Sequence, residues 1–266
     1  MAEPDSAPPP LRVCLLSGGA SRRMGRDKAL LPHPEGGCWL ERTLRLLAAL
    51  QLPITLLSRH PEHLLLARRL GEAWGRLEPD SGGLLAASPP SSPAPSPCAL
   101  PPLQVAGEAE VAQGAKPPPW AGLAEPRAEA QAARGSAVPP LEALAEPPPW
   151  EGPLLALHRL MQRHPQQRLL LCPVDMPWLT LEALQRLVAA SEADPMVIQL
   201  AHDGERLQPL LGIYPGQACR RSALGAAIAK GERRLQTWLA DQPCRALQLD
   251  TQALRNVNRP QQWWSD

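Results

Sequence analysis

Apolar residues along this chain fall into short runs that alternate with stretches of three-to-four spacing. Val13 to Leu16 is a short apolar run of the kind a buried parallel strand uses, and Ser17, Gly18 and Gly19 break it. Cys38 to Leu50 carries leucines at 40, 44, 47 and 50, which predicts an amphipathic helix. Pro53 to Ser58 reads as a second strand, Pro61 to Gly71 as a second helix and Trp74 to Glu78 as a short third strand. Periodicity resumes near Glu151, with helical spacing from Leu154 to Met161 and a strongly apolar strand at Arg168 to Cys172. Thr180 is placed to cap a helix containing Glu182, Leu184, Leu187 and Val188. Strands are predicted at Met196 to Leu200, Leu207 to Tyr214 and Arg245 to Leu249, and helices at Ala218 to Lys230 and Leu235 to Ala240. Strands alternating with helices predict an α/β fold, a single doubly wound and mostly parallel sheet.

Between these two patterned regions the character changes. From 82 to 149 the chain is proline, alanine, serine and glycine, with almost no periodicity, and acids outnumber bases six to three. Such a segment buries too little apolar surface to offset its ordering entropy, so 82–149 is read as a disordered insertion. Residues 1–10 read as a disordered lead. Two halves of one domain remain. Residues 11–81 carry the glycine loop, and 150–266 carry the acidic turn at Asp175.

Composition narrows the classes. The net charge of +1 gives no general attraction to nucleic acid or to an anionic membrane, and neither is expected as a partner. No window of 18 residues is both apolar and free of proline, so nothing reads as a membrane span. The acidic, proline-rich start is unlike a secretory leader. The six cysteines are scattered without a Cys-x-x-Cys pair, which fits a reduced cytoplasm better than disulfide or metal use. Phenylalanine is absent, so leucine, valine, alanine and tryptophan must build the core. His60, His63, His158, His164 and His202 show no metal spacing and are read mostly as surface residues. Trp263-Trp264 is read as core packing or a dimer edge.

The candidate chemistry lies at two turns. After the first strand, glycines let backbone N–H groups approach a ligand, and Arg22, Arg23, Arg26 and Lys28 gather four cations. That combination points to a phosphate cradle, although neither standard phosphate-loop fingerprint is present and a plain turn is the competing reading. After the strand ending at Cys172, Asp175 stands in Pro173-Val174-Asp175-Met176-Pro177. A hard carboxylate opposite a triphosphate is how magnesium is commonly held; an ordinary strand-end turn is the alternative. Asp80-Ser81-Gly82 alone reads as a turn.

Leu16-Ser17-Gly18-Gly19-Ala20-Ser21-Arg22-Arg23-Met24-Gly25-Arg26-Asp27-Lys28 resembles the signature loop of the molybdenum cofactor guanylyltransferases, with Ser17 in place of alanine. Cys172-Pro173-Val174-Asp175-Met176-Pro177 resembles their metal motif. Asp203-Gly204-Glu205-Arg206 with Gln208-Pro209-Leu210, Gly231-Glu232-Arg233-Arg234, and Asn256-Val257-Asn258-Arg259-Pro260 resemble further family segments. The resemblance implies a Rossmann-like nucleotidyltransferase fold and transfer of GMP from GTP to molybdenum-molybdopterin, with pyrophosphate released. It implies Mg2+ as cofactor, held by Asp175, and Lys28 and Asp175 as the catalytic pair. By the same resemblance, the nucleotide would meet Leu16, Ser17, Gly18, Gly19, Arg23, Lys28, Asp80 and Asp175. Asp80 is matched to a family aspartate that ends the third strand shortly before a Gly-Pro-Leu segment, here Gly152-Pro153-Leu154. A monomer is expected, with GTP and molybdenum-molybdopterin as small-molecule partners and molybdoenzyme-specific chaperones or other cofactor-biosynthesis proteins as further candidates. Two alternatives stay open: a related transferase using CTP or another nucleotide on a different phosphate acceptor, and a non-catalytic GTP-binding or cofactor-carrier module.

Overall fold

The computed structural model describes residues 8–19, 27–75 and 139–257. All lie in one compact unit, Met1–Leu77 with Val138–Asp266; the other unit, Glu78–Ala137, falls outside the described residues. Seven strands form one sheet in the order β3-β2-β1-β4-β6-β5-β7. They are β1 (Leu11–Leu16), β2 (Ile54–Ser58), β3 (Leu141–Ala145), β4 (Arg168–Pro173), β5 (Ile198–His202), β6 (Leu207–Pro215) and β7 (Cys244–Gln248). The helices are α1 (Trp39–Ala48), α2 (Pro61–Gly75), α3 (Pro153–Arg163), α4 (Leu181–Ala193), α5 (Ala218–Ala229) and the short α6 (Leu235–Leu239). A 3-10 turn at Lys28–Leu30 precedes α1.

Six strands run parallel and β6 opposes both its neighbours. The exception has a local cause. β5 and β6 are joined by the tight turn at 203–206, and strands joined by so short a turn must be antiparallel. The chain leaves β1 toward β2 and β3, then returns to place β4 on the other side of β1. The carboxyl ends of β1 and β4 therefore flank the switch point, where sheets of this kind open a crevice.

The core is leucine-rich, as a chain without phenylalanine requires. Leu154, Leu157, Leu160 and Met161 of α3 pack with Leu169, Leu171, Ile198, Leu200, Tyr214 and Trp238. Thr180 caps α4 as its sequence predicts, accepting a bond from Ala183 N. No helix among the described residues is long and apolar enough to cross a membrane.

Four expectations need correction. The third strand is not at Trp74 to Glu78: Trp74 continues α2, and β3 is Leu141–Ala145. That strand lies inside the stretch read as an insertion, so the patterned chain resumes by Leu141 rather than at Glu151. Its signal was weak because β3 is an edge strand, only half-buried and without β-branched residues. The lead is also shorter than ten residues. Pro10 O accepts from Arg168 N at 2.8 Å, and Pro9 O accepts from Arg168 Nε at 2.8 Å. Finally, His63 and His164 are buried rather than superficial. Trp263 and Trp264 lie outside the described residues.

Candidate active site

The glycine loop leaves β1 under tight control. Ser17 is buried and donates its N–H to Leu57 O at 3.2 Å, which ties the loop's start to β2. Ser17 N–H is thus committed to the sheet, whereas Gly18 and Gly19 follow it along the cavity wall. A Cβ on Gly18 would come within 2.8 Å of Glu146 Oε2, so a side chain there would displace that carboxylate. The loop re-enters the described chain at Asp27. Asp27 Oδ1 accepts from Ala29 N at 3.0 Å and closes the 3-10 turn that carries Lys28.

Lys28 reaches across to β4. Its Nζ lies 3.4 Å from Asp175 Oδ2, and both side chains are largely sheltered from solvent. Asp175 follows a fully buried strand, and its backbone oxygen accepts from Val257 N at 3.0 Å. That contact seats the closing Asn256-Val257 segment against the acidic turn, with Val257 packed on Trp39. Two pieces of chain 147 residues apart thus meet within ion-pair distance.

Both line one cavity of about 600 Å³. Leu16, Ser17, Gly18, Gly19, Asp27, Lys28 and Asp175 contribute from the two turns; Arg59, Glu146, Trp150, Gly152 and Pro153 close the far side. Gly152 has φ +102°, which favours glycine, and it opens α3 with Pro153 in the first turn. The first-turn N–H groups of α3 consequently start at the cavity wall.

Arg22, Arg23, Arg26 and Asp80 lie outside the described residues. Leu16, Ser17, Gly18, Gly19, Lys28 and Asp175 come together. One functional candidate escaped the sequence reading: the acid just past the third strand in space is Glu146, six residues before Gly152. Its N–H donates to Ser58 O at 2.8 Å, and Arg159 Nη1 donates to its Oε1 at 3.3 Å. Burial raises its carboxyl above the usual range, with Arg159 and Arg59 opposing the shift. Trp150 donates from Nε1 to Glu146 O at 2.9 Å and lies under the Arg59 guanidinium, 5.3 Å from the ring centre. The signal that would have found Glu146 is its short distance to Gly152-Pro153-Leu154.

Two further family-like segments also converge. Asp203 accepts from Glu205 N, Arg206 N and Gln208 Nε2, and Asn256 Nδ2 donates to Gln208 Oε1 at 3.3 Å. Among the described residues no cysteine lines this cavity. Cys14 and Cys172 are buried, which pushes both thiols up to about 12.

Residues 13–88 and 109–246 match the family described as the MobA-like NTP transferase domain. The chain belongs to that family. A probable molybdenum cofactor guanylyltransferase of Rhodopirellula baltica is 31% identical over 264 residues, covering 97% of this chain and 92% of the relative. A molybdenum cofactor guanylyltransferase of Shewanella loihica is 32% identical over 113 residues, which span 42% of this chain and 57% of that protein. The molybdopterin-guanine dinucleotide biosynthesis protein A of Archaeoglobus fulgidus superposes with a TM-score of 0.54 at 14% identity, covering 94% of each chain. The 4-diphosphocytidyl-2C-methyl-D-erythritol synthase of Anaerococcus prevotii superposes with a TM-score of 0.57 at 7% identity, covering 95% of this chain and 92% of that one. These two likenesses establish the nucleotidyltransferase fold. Together with the family match they make the chain an enzyme of the nucleotidyltransferase class.

Proposed function

We propose that this MobA-like NTP transferase moves GMP from GTP to molybdenum-molybdopterin, with Lys28 and Asp175 as the catalytic pair. The observation that carries the reading is the 3.4 Å approach of Lys28 to Asp175 across one cavity. The names of the Rhodopirellula and Shewanella relatives supply the substrate class.

The reaction suits these residues. A terminal phosphate oxygen of the acceptor attacks the α-phosphorus of GTP. A new P–O–P bond forms, the α–β bridging bond breaks, and pyrophosphate leaves with the electron pair. The attacking oxygen is already anionic, so no general base is required. The site has to hold two anions together and offset charge as the transition state forms. The Lys28 ammonium serves the phosphates, and Gly18 and Gly19 allow close backbone approach. Glu146 takes the nucleotide-side position that the sequence assigned to Asp80, and Arg23 is a further phosphate contact. Acceptor recognition falls to the Asp203, Gln208 and Asn256 cluster.

The residues fit a divalent cation. Among the described residues there is no cluster of three metal-ligating side chains. A lone hard carboxylate suits an ion such as magnesium, which draws most of its ligands from phosphate and water. Asp175 would hold that ion, and the chemistry it supplies is neutralisation of phosphate charge.

The test compares GTP, CTP and ATP, each with magnesium, by thermal shift, then follows pyrophosphate release when purified molybdenum-molybdopterin is added. GTP-selective stabilisation with acceptor-dependent release is expected. Selective use of CTP, or binding without release, would overturn the assignment.

A further inference from the structure

We propose that His63 is a positioning residue: it ties Ser17, at the start of the glycine loop, to Asp27, at its end, and so sets where Lys28 presents its ammonium. The inference rests on the nucleotide reading of the site given above.

His63 lies in the first turn of α2 and is fully buried. A buried histidine usually finds partners within the core. Here both ring nitrogens face residues that line the cavity or hold its loop. Nε2 lies 3.0 Å from Asp27 Oδ2. Nδ1 lies 3.0 Å from Ser17 O, 3.1 Å from Ser17 Oγ and 3.0 Å from Ser58 Oγ. Ser58 in turn donates to Ser17 O at 3.3 Å. One imidazole therefore joins the end of β1, the end of β2 and the turn carrying Lys28.

Asp27 is where the tie becomes functional. Its second oxygen caps Ala29 N, so the carboxylate fixes the turn on which Lys28 sits. His63 holds the other oxygen and thereby the rotation of that carboxylate. Burial alone would raise the Asp27 carboxyl, but its bond to His63 and the Ala29 N–H outweigh burial and keep it below its ordinary value. His60 makes a looser outer contact, 3.9 Å from Asp27 Oδ2 and 3.4 Å from Gly19 O. A small misplacement of Lys28 matters because phosphate charge must be met at a defined point.

The experiment measures kcat, KM for the nucleotide and melting temperature for wild type, His63→Leu, His63→Gln, Asp27→Asn and the double variant His63→Leu/Asp27→Asn. Asp27→Asn keeps the oxygen that caps Ala29, so it tests the tie even where His63→Leu folds poorly. Each single change is expected to lower kcat/KM per folded molecule by about tenfold to a hundredfold. The double variant should fall no further than the worse single, within about twofold, because the two residues act as one unit. His63→Gln, which returns an N–H toward Asp27, should recover part of the loss. His164→Asn, a buried histidine away from the cavity, should leave the nucleotide KM unchanged. Lower melting temperatures with unchanged kcat/KM would make His63 purely structural and overturn the proposal, as would losses that multiply in the double variant. A wild type inert toward every nucleotide would instead break the reading on which the proposal rests.

Discussion

The turns after β4 and β3 both deliver an acid to the same cavity, and they are held by different forces. β4 is central, flanked by β1 and β6 and buried along its whole length. Asp175 is therefore fixed from behind by hydrophobic packing, with Val257 N holding its carbonyl. β3 is an edge strand with one neighbour, and its residues are half-buried or exposed. Glu146 is placed by polar contacts instead: Ser58 O, Arg159 and the Trp150 N–H. The core holds the acid proposed to carry the chemistry, and a side-chain network on the rim holds the one proposed to meet the nucleotide. A charge in the wrong place costs most where phosphates react, so the rigid position suits Asp175.

The largest expected effect breaks the central side. Asp175→Asn is nearly isosteric and leaves the strand behind it untouched, so it should cut kcat by about a hundredfold or more while the melting temperature moves little. Normal turnover would remove Asp175 from the mechanism.

The next tests the edge as structure. Deleting 84–147 removes β3, strips β2 of its outer partner and uncovers α2, where a Cβ added at Gly71 would lie 3.6 Å from Leu141 Cβ. Loss of a cooperative melting transition is expected. Replacing only 84–137 with a short flexible linker should retain that transition. Equal behaviour of the two deletions would show that β3 contributes nothing to the fold.

A smaller effect is expected from Glu146→Gln, which keeps shape and removes charge. The nucleotide KM should rise about tenfold with kcat nearly unchanged, the size of one charged hydrogen bond. A fall in kcat equal to that of Asp175→Asn would erase the distinction between the two acids.

How much of this was legible beforehand follows from the same contrast. β1, β2 and β4 to β7 stood out because burial on both faces or a turn at each end leaves a mark in the apolar pattern. The Leu-Ser-Gly-Gly loop, Lys28 and Asp175 were readable as local motifs, and the topology supplied the reason they meet. β3 was not legible. Leu-Glu-Ala-Leu-Ala sits among prolines, and its strand identity comes from pairing with β2 and packing under α2. Missing β3 left Glu146, the residue just past that strand, unread as a candidate beside Asp80. His63 was unreadable for a related reason, since helical spacing does not reveal that its ring is shared by Ser17, Ser58 and Asp27.

The smallest effect concerns pH at the β2–β3 edge. Burial and the Arg12 charge, with Arg163 adding to them, push His164 down to about 4 from its ordinary 6.5, against the pull of Glu142. Its Nε2 lies 3.1 Å from Thr55 Oγ1. The fold keeps this imidazole neutral where the unfolded chain takes up a proton. Its contribution is therefore intact above pH 6.5 and declines as pH falls toward 4. His164→Asn should flatten the melting temperature against pH in that window. Parallel profiles for variant and wild type would dismiss the effect.

The most direct test of the central claim is a double-mutant cycle on magnesium–GTP affinity with Lys28→Met and Asp175→Asn. One shared ligand predicts that the two changes couple, by about 0.5 kcal/mol or more. Strictly additive losses, within about 0.3 kcal/mol, would mean that Lys28 and Asp175 serve separate sites.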